Sequence, residues 1–303
     1  MSWNVRIGIN PLSWMNDDLP SLGGETPLET ALAEGKAIGY EGFELGNKFP
    51  KDGPALKAKL DEFGLACVSG WYSGFLAEGT LAAEIERCGA HMAKLRYNEV
   101  KVVVYGECAG TIQGQIETPL AQRPRFADLA AWQAYAARLN AFGEHLQAAY
   151  GITLAYHHHM GAYVESPDDV DQLMALTDPA RVGLLFDTGH AWFGGAADPA
   201  ALLRKHARRV VHVHCKDVRP AVIQTARNDG WSFLQGVVNG TFTVPGDGAI
   251  DYATLLGVLH GSGYQGWLVV EAEQDPAVAP SYAYAKKGYE TLKALVDSLA
   301  QET

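Results

Sequence analysis

The sequence predicts an α/β chain folded as a (β/α)8 barrel, with residues 1–303 forming one domain. Three observations carry that expectation. Short apolar, β-branched runs alternate with stretches of helical periodicity in eight successive units. The connections are mostly short and the composition nowhere breaks, so the strands read as one parallel sheet covered by helices. Ligand-type residues stand just past four consecutive strands, at the end of a barrel where sites are built. Eight units fit a closed barrel better than an open doubly wound sheet.

The first strand is read over 5–9 and is stopped by Asn10-Pro11. A glycine-rich loop follows, and Thr26-Pro27-Leu28-Glu29 opens a helix as a capping box with proline in its first turn. Residues 42–45 form the second strand, and a helix through Leu56, Leu60 and Phe63 ends at Gly64. The third strand is 65–69, followed by a helix over 81–97. The fourth, 100–104, is apolar nearly throughout, as suits a strand buried on both faces. A long loop leads to an alanine-rich helix over 126–149.

The fifth strand, 152–156, runs into His157-His158-His159-Met160-Gly161. Ser166-Pro167 caps the next helix, and 182–186 is the sixth strand, ending at Asp187-Thr188-Gly189-His190. A basic helix from Asp198 precedes the seventh strand, 210–213, which ends at His214-Cys215-Lys216-Asp217. Residues 219–248 carry no clear periodicity and read as irregular chain, a candidate lid with Arg219. Asp251 caps a helix, 268–270 is the eighth strand, ending at Glu271, and a helix over 281–299 closes the chain.

Composition excludes several classes. Apolar residues make up 48% of the chain, enough for a large core. The net charge of −11 gives no general attraction for nucleic acid or anionic lipid, which leaves a small molecule as the natural partner. Four cysteines without a C-x-x-C pair make no disulfide framework and fit a reducing cytoplasm. The first residues, Met1 to Arg6, enter a strand with no signal-peptide pattern, and no apolar run is long enough for a membrane span. No glycine-rich phosphate loop follows any strand.

Side chains alternate along a strand, so His157 and His159 share one face and His158 takes the other. By the same rule His212 and His214 share a face. Asp187 and Glu271 each follow a buried apolar run, where a carboxylate needs a cation or strong donors to offset its desolvation. His157, Asp187, His214 and Glu271 are therefore the expected metal ligands. Two imidazoles and two carboxylates suit Mn²⁺ or Co²⁺, with Zn²⁺ as a further option. His91, His145, His206 and His260 fall on helices and read as surface or packing residues.

The strand-end sets F-D-T-G-H (186–190), H-x-K-D (214–217) and G-W-L-V-V-E (266–271) resemble the xylose-isomerase-like TIM barrels of sugar isomerases, epimerases and dehydratases. Three narrower segments are similar to the inosose dehydratase family: G-I-N-P-L-S-W near the start, Y-H-H-H-M-G at 156–161, and Phe233 through Val244-Pro245-Gly246-Asp247-Gly248. The resemblance covers essentially the whole chain. It implies a divalent metal held at the ends of strands five to eight, which maps to His157, Asp187, His214 and Glu271. The chain departs from the superfamily in one place, since many members carry E-x-H where this sequence has His157-His158-His159.

The implied reaction is loss of water from an inosose, a cyclic polyol ketone, to give a trihydroxycyclohexane-dione. It needs a base for the α-proton, an acid for the departing hydroxyl, and stabilisation of the enolate between. His159 and His190 are the expected acid–base pair, with Lys216 binding the enolate or a hydroxyl. Trp14, Glu44, Trp71, Tyr105, Arg219 and Glu273 are expected to contact substrate. The competing expectations are an isomerase or epimerase using the same enediolate, a multi-zinc DNA-repair endonuclease, and a carbohydrate-binding barrel without catalysis. A homo-oligomer is compatible with all of these.

Overall fold

In the computed structural model, which describes residues 3–301, eight parallel strands close into a barrel. The strands are Val5–Ile9, Gly42–Leu45, Ala66–Gly74, Val102–Glu107, Thr153–His157, Val182–Asp187, Val210–Cys215 and Gly266–Val270. They neighbour one another in chain order, and the eighth closes on the first with Val5 opposite Gly266 and Ile9 opposite Val270. Met1 and Ser2, on which the expected absence of a leader partly rests, lie outside the described residues. Among the described residues no helix is long and apolar enough to cross a membrane.

Strand alternation divides the core in two. Outward-facing residues such as Val103, Leu154, Leu184, Val213 and Leu268 pack beneath the helices in one large cluster. Val104, Ala155 and Leu185 fill the barrel interior, flanked by Trp71, Val102 and Val211. The same parity aims the next inward residues, His157, Asp187, His214 and Glu271, at the open end of the barrel.

Most of the predicted elements form, with differences that affect the site. The helix over 81–97 has the expected bounds. The third and fourth strands run further than predicted, to Gly74 and Glu107, and lengthen the wall around the barrel mouth. Thr26 does not cap the first helix. Pro27 holds that position without a side-chain bond, and the helix begins at Leu28. Residues 219–248 are not irregular. They form helices Pro220–Asp229 and Phe233–Val238 and a ribbon pairing Asp217–Val218 with Phe242–Thr243. Only two residues of the first of these helices, Ile223 and Ala226, are buried, so its periodic signal is faint. A signal for the second was present in Ser232 and Gln235, which form a reciprocal capping box.

Candidate active site and metal centre

The cavity at the C-terminal mouth of the barrel holds about 480 Å³. Its lining includes Asn10, Glu44, Trp71, His91, His157, His159, His214, Glu271 and Glu273. At its floor, ligand atoms of His157, Asp187, His214 and Glu271 all lie within 4.8 Å of one another, and all four residues are buried. The four residues expected from sequence to hold a metal are therefore brought together.

Local structure aims each ligand. His157 Nδ1 lies 2.7 Å from the carbonyl oxygen of His158. A carbonyl only accepts, so Nδ1 carries the proton and Nε2 presents its lone pair 3.6 Å from Asp187 Oδ2. Asp187 Oδ1 accepts from the His190 backbone N–H and starts the short helix Thr188–Phe193. That leaves Oδ2 buried without a hydrogen bond. His214 Nδ1 is likewise buried without one, 3.5 Å from Asp187 Oδ2 and 3.1 Å from Glu271 Oε2. Lys216 Nζ stands 3.5 Å from Asp187 Oδ2, an ion-pair distance without a hydrogen bond. Two buried ligand atoms that lack hydrogen bonds, converging with a free imidazole lone pair and a carboxylate, fit a divalent cation.

The charge balance agrees. Burial pushes the Asp187 and Glu271 carboxyls up, but the Lys216 ammonium, with His214 beside Glu271, outweighs it. Asp187 stays well below the usual carboxylate range and Glu271 falls to about 2. Burial alone depresses the His214 imidazole, yet Glu271 and Glu44 overcome it and favour positive charge there. A bound cation meets the same demand and leaves the imidazole neutral as a ligand.

One wall is a row of rings. Trp71 stands edge-on to His157 and His159, with centroids 5.5 and 5.9 Å apart. Gly106 on the next strand permits this, because a Cβ there would come within 2.0 Å of the indole. His159 Nδ1 lies 2.8 Å from the Met160 carbonyl oxygen, so it donates and Nε2 keeps a lone pair. Burial, reinforced by neighbouring His157, lowers the His159 pKa to about 3 and keeps the ring neutral.

His190 and Lys216 are fully buried behind this wall and are not among the lining residues. The His190 ring lies 4.1 Å from that of His159. It faces two N–H groups, the Met160 amide at 3.3 Å and Lys216 Nζ at 3.1 Å. A neutral imidazole has one free lone pair and can accept from only one of them. Lys216 Nζ also reaches Glu271 at 2.7 Å and Glu273 at 2.9 Å. It sits between Glu273 and His190, which with His159 form another cluster of ligand-type atoms, so an ammonium already supplies a cation there. Burial raises the Glu273 carboxyl to about 7, with Lys216 opposing only in part.

Of the six residues expected to contact substrate, Glu44, Trp71 and Glu273 line the cavity and three do not. Trp14 is buried against Phe43, with its indole N–H on Glu34. Tyr105 faces outward because Val104 and Gly106 take the inward parity, and its hydroxyl donates to Glu107. Arg219 is spent on Gly240, Phe242, Thr243 and Asp247, and braces the ribbon. Sequence reading missed Asn10, whose Nδ2 bridges Glu44 and Glu271, although Asn10 also follows directly on a strand. It also missed His91, which lines the cavity from a helix.

Comparison with known proteins agrees with this geometry. The family model described as "Xylose isomerase-like TIM barrel" matches residues 32–295. The rhizopine catabolism protein MocC of Rhizobium meliloti is 48% identical over 95% of this chain and 88% of its own length. The inosose dehydratase of Geobacillus thermodenitrificans is 43% identical over 95% of this chain and 96% of its own. Among solved structures, an L-ribulose 3-epimerase superposes with a TM-score of 0.69 at 19% identity, covering 100% of this chain and 97% of that one, and shares the fold. The chain belongs to the xylose isomerase-like TIM barrel family, in the group that contains the inosose dehydratases.

Proposed function

We propose that this chain is a carbon–oxygen lyase that removes water from 2-keto-myo-inositol, an inosose, to give a trihydroxycyclohexane-dione in inositol catabolism. Similarity to inosose dehydratases along nearly the whole chain supports the substrate. One observation carries the chemistry: the neutral His159 and Glu273 line the same cavity as the four-ligand cluster.

His157, Asp187, His214 and Glu271 would hold a divalent cation, Mn²⁺ or Co²⁺ first among the candidates and Zn²⁺ a further one. When bound, it supplies Lewis-acid stabilisation of the negative charge that builds on the ketone oxygen. The His159 Nε2 lone pair takes the α-proton, and the Met160 carbonyl steadies the imidazolium through Nδ1–H. Glu273, rather than His190, delivers a proton to the departing β-hydroxyl, because His190 lies behind the wall. Proton and hydroxyl together account for the water lost. Lys216 anchors Glu271 and Glu273, and Trp71 offers a flat face to the ring. The enzyme works on a small neutral polyol ketone, without nucleic acid or membrane. Its four free cysteines support a cytoplasmic setting, and a homo-oligomer is compatible with the fold.

The test is an assay on chelator-stripped protein with 2-keto-myo-inositol, following the ultraviolet absorbance of the enolised dione. We expect absorbance with added Mn²⁺ or Co²⁺ and none without. His159→Gln is expected to lower kcat by roughly 10²- to 10⁴-fold while metal binding persists. Conversion to a rearranged, undehydrated product would reassign the chain as an isomerase or epimerase. Near wild-type kcat in His159→Gln would remove that residue from the mechanism.

A further inference from the structure

We infer that Glu44 is a positioning residue for the metal centre: it fixes His214 as the Nε2–H tautomer and so turns the Nδ1 lone pair toward Asp187 and Glu271. The inference rests on His214 being a ligand, as proposed above.

Glu44 lines the cavity, but its oxygens are occupied. Oε1 lies 2.6 Å from His212 Nε2 and 3.1 Å from His214 Nε2. Oε2 lies 3.0 Å from His214 Nε2 and accepts from Asn10 Nδ2 at 3.0 Å. All three imidazole and carboxylate partners are buried. Two imidazoles and the Asn10 amide thus converge on these two oxygens. A carboxylate only accepts, so each Nε2 must carry a proton. A neutral imidazole with hydrogen on Nε2 has its lone pair on Nδ1, and His214 Nδ1 is the buried atom that lacks a hydrogen bond. Carboxylate, imidazole and metal site then form a line in which the carboxylate sets the ligand's tautomer and orientation.

Strand alternation supplies the aim: Phe43 and Leu45 pack outward in the core, so Glu44 between them turns inward. The register shift beside it places the extra residue on the third strand. Asn10 ties the arrangement to a second ligand, since its Nδ2 also donates to Glu271 Oε2 at 3.1 Å. His212 completes the support from the same strand face as His214, two residues lower, in place of a substrate group.

The experiment is calorimetric titration of the chelator-stripped full chain with Mn²⁺, comparing wild type, Glu44→Gln and Asp187→Asn. The glutamine amide would place a donor against an imidazole N–H, which favours the other tautomer and masks Nδ1. We expect one equivalent in the wild type, a Kd raised roughly 10- to 100-fold in Glu44→Gln with stoichiometry unchanged, and weakened binding in Asp187→Asn. A Glu44→Gln Kd within twofold of wild type, with Asp187→Asn still weakened, would overturn the role of Glu44 and leave the metal site standing. Two equivalents in the wild type, one lost in Glu44→Gln, would make Glu44 a ligand and overturn it differently. Unchanged binding in Asp187→Asn would overturn both. Nitrogen-15 NMR of the zinc-loaded wild type needs no variant: exchange-protected Nε2–H signals are expected for His212 and His214, and an Nδ1–H on His214 would sink the inference.

Discussion

His158 and His159 are adjacent in the chain and have opposite surroundings. His159 lines the cavity, whereas His158 turns toward Phe186 with both ring nitrogens buried and unpartnered. Alternation anticipated this split, and it also explains why Tyr105 faces the helices. His91 shows where residue-level reading failed, because helical position alone does not reveal that the helix borders the barrel mouth. Burial, with Lys94 nearby, pushes the His91 pKa down to about 4. The unfolded chain binds its proton below about pH 6.5. Stability from neutral His91 is therefore present above pH 6.5 and lost as pH falls toward 4, by roughly 3 kcal/mol. We expect the wild-type Tm to fall more steeply than that of His91→Asn between pH 6.5 and 4. Parallel curves would show that His91 does not titrate this way.

At the scale of elements, the segment after the seventh strand decides the back of the site. Asp217 accepts from four backbone N–H groups, those of Val218, Gly246, Gly248 and Ile250. Gly248 is required for this approach, since a Cβ there would lie 2.3 Å from Asp217 Oδ1. The ribbon so held places Phe242 against His190 and beneath Lys216 Nζ. Asp217→Asn replaces one accepting oxygen with a donor and leaves buried N–H groups unmet. We expect a loss of about 1–3 kcal/mol, read as a lower urea midpoint with unchanged slope. A midpoint equal to wild type would mean that the ribbon is held elsewhere. The sequence marked this segment as functional but missed its helices: the first buries only Ile223 and Ala226, and the second, six residues long, is too short to show a period.

At the scale of the molecule, the metal centre joins four separate strands through side chains that carry like charge or compete for protons. A cation held by this cluster would bind the folded chain and have no comparable site in the unfolded one. Folded stability should therefore rise with metal, by about 2.7 kcal/mol at a free concentration 100 times Kd. A thermal shift on adding Mn²⁺ to stripped protein, absent in Asp187→Asn, is the expected result. An equal shift in both would place the cation elsewhere.

Local pattern specified the barrel, the order of its strands and the four ligand-type residues at successive strand ends. It could do so because strand and helix periods are local, and a parallel barrel turns strand ends into one shared rim. Which polar groups reach the cavity and which stand behind it depends on packing between distant segments. Lys216 follows the same strand as His214, which lines the cavity, and His190 the same strand as Asp187 of the four-residue cluster, yet both lie behind a wall of rings. Glu44, expected to contact substrate, lines the cavity with its oxygens held by His212, His214 and Asn10. Those partners lie far from it in sequence, so no local pattern specifies the bonds that decide its role.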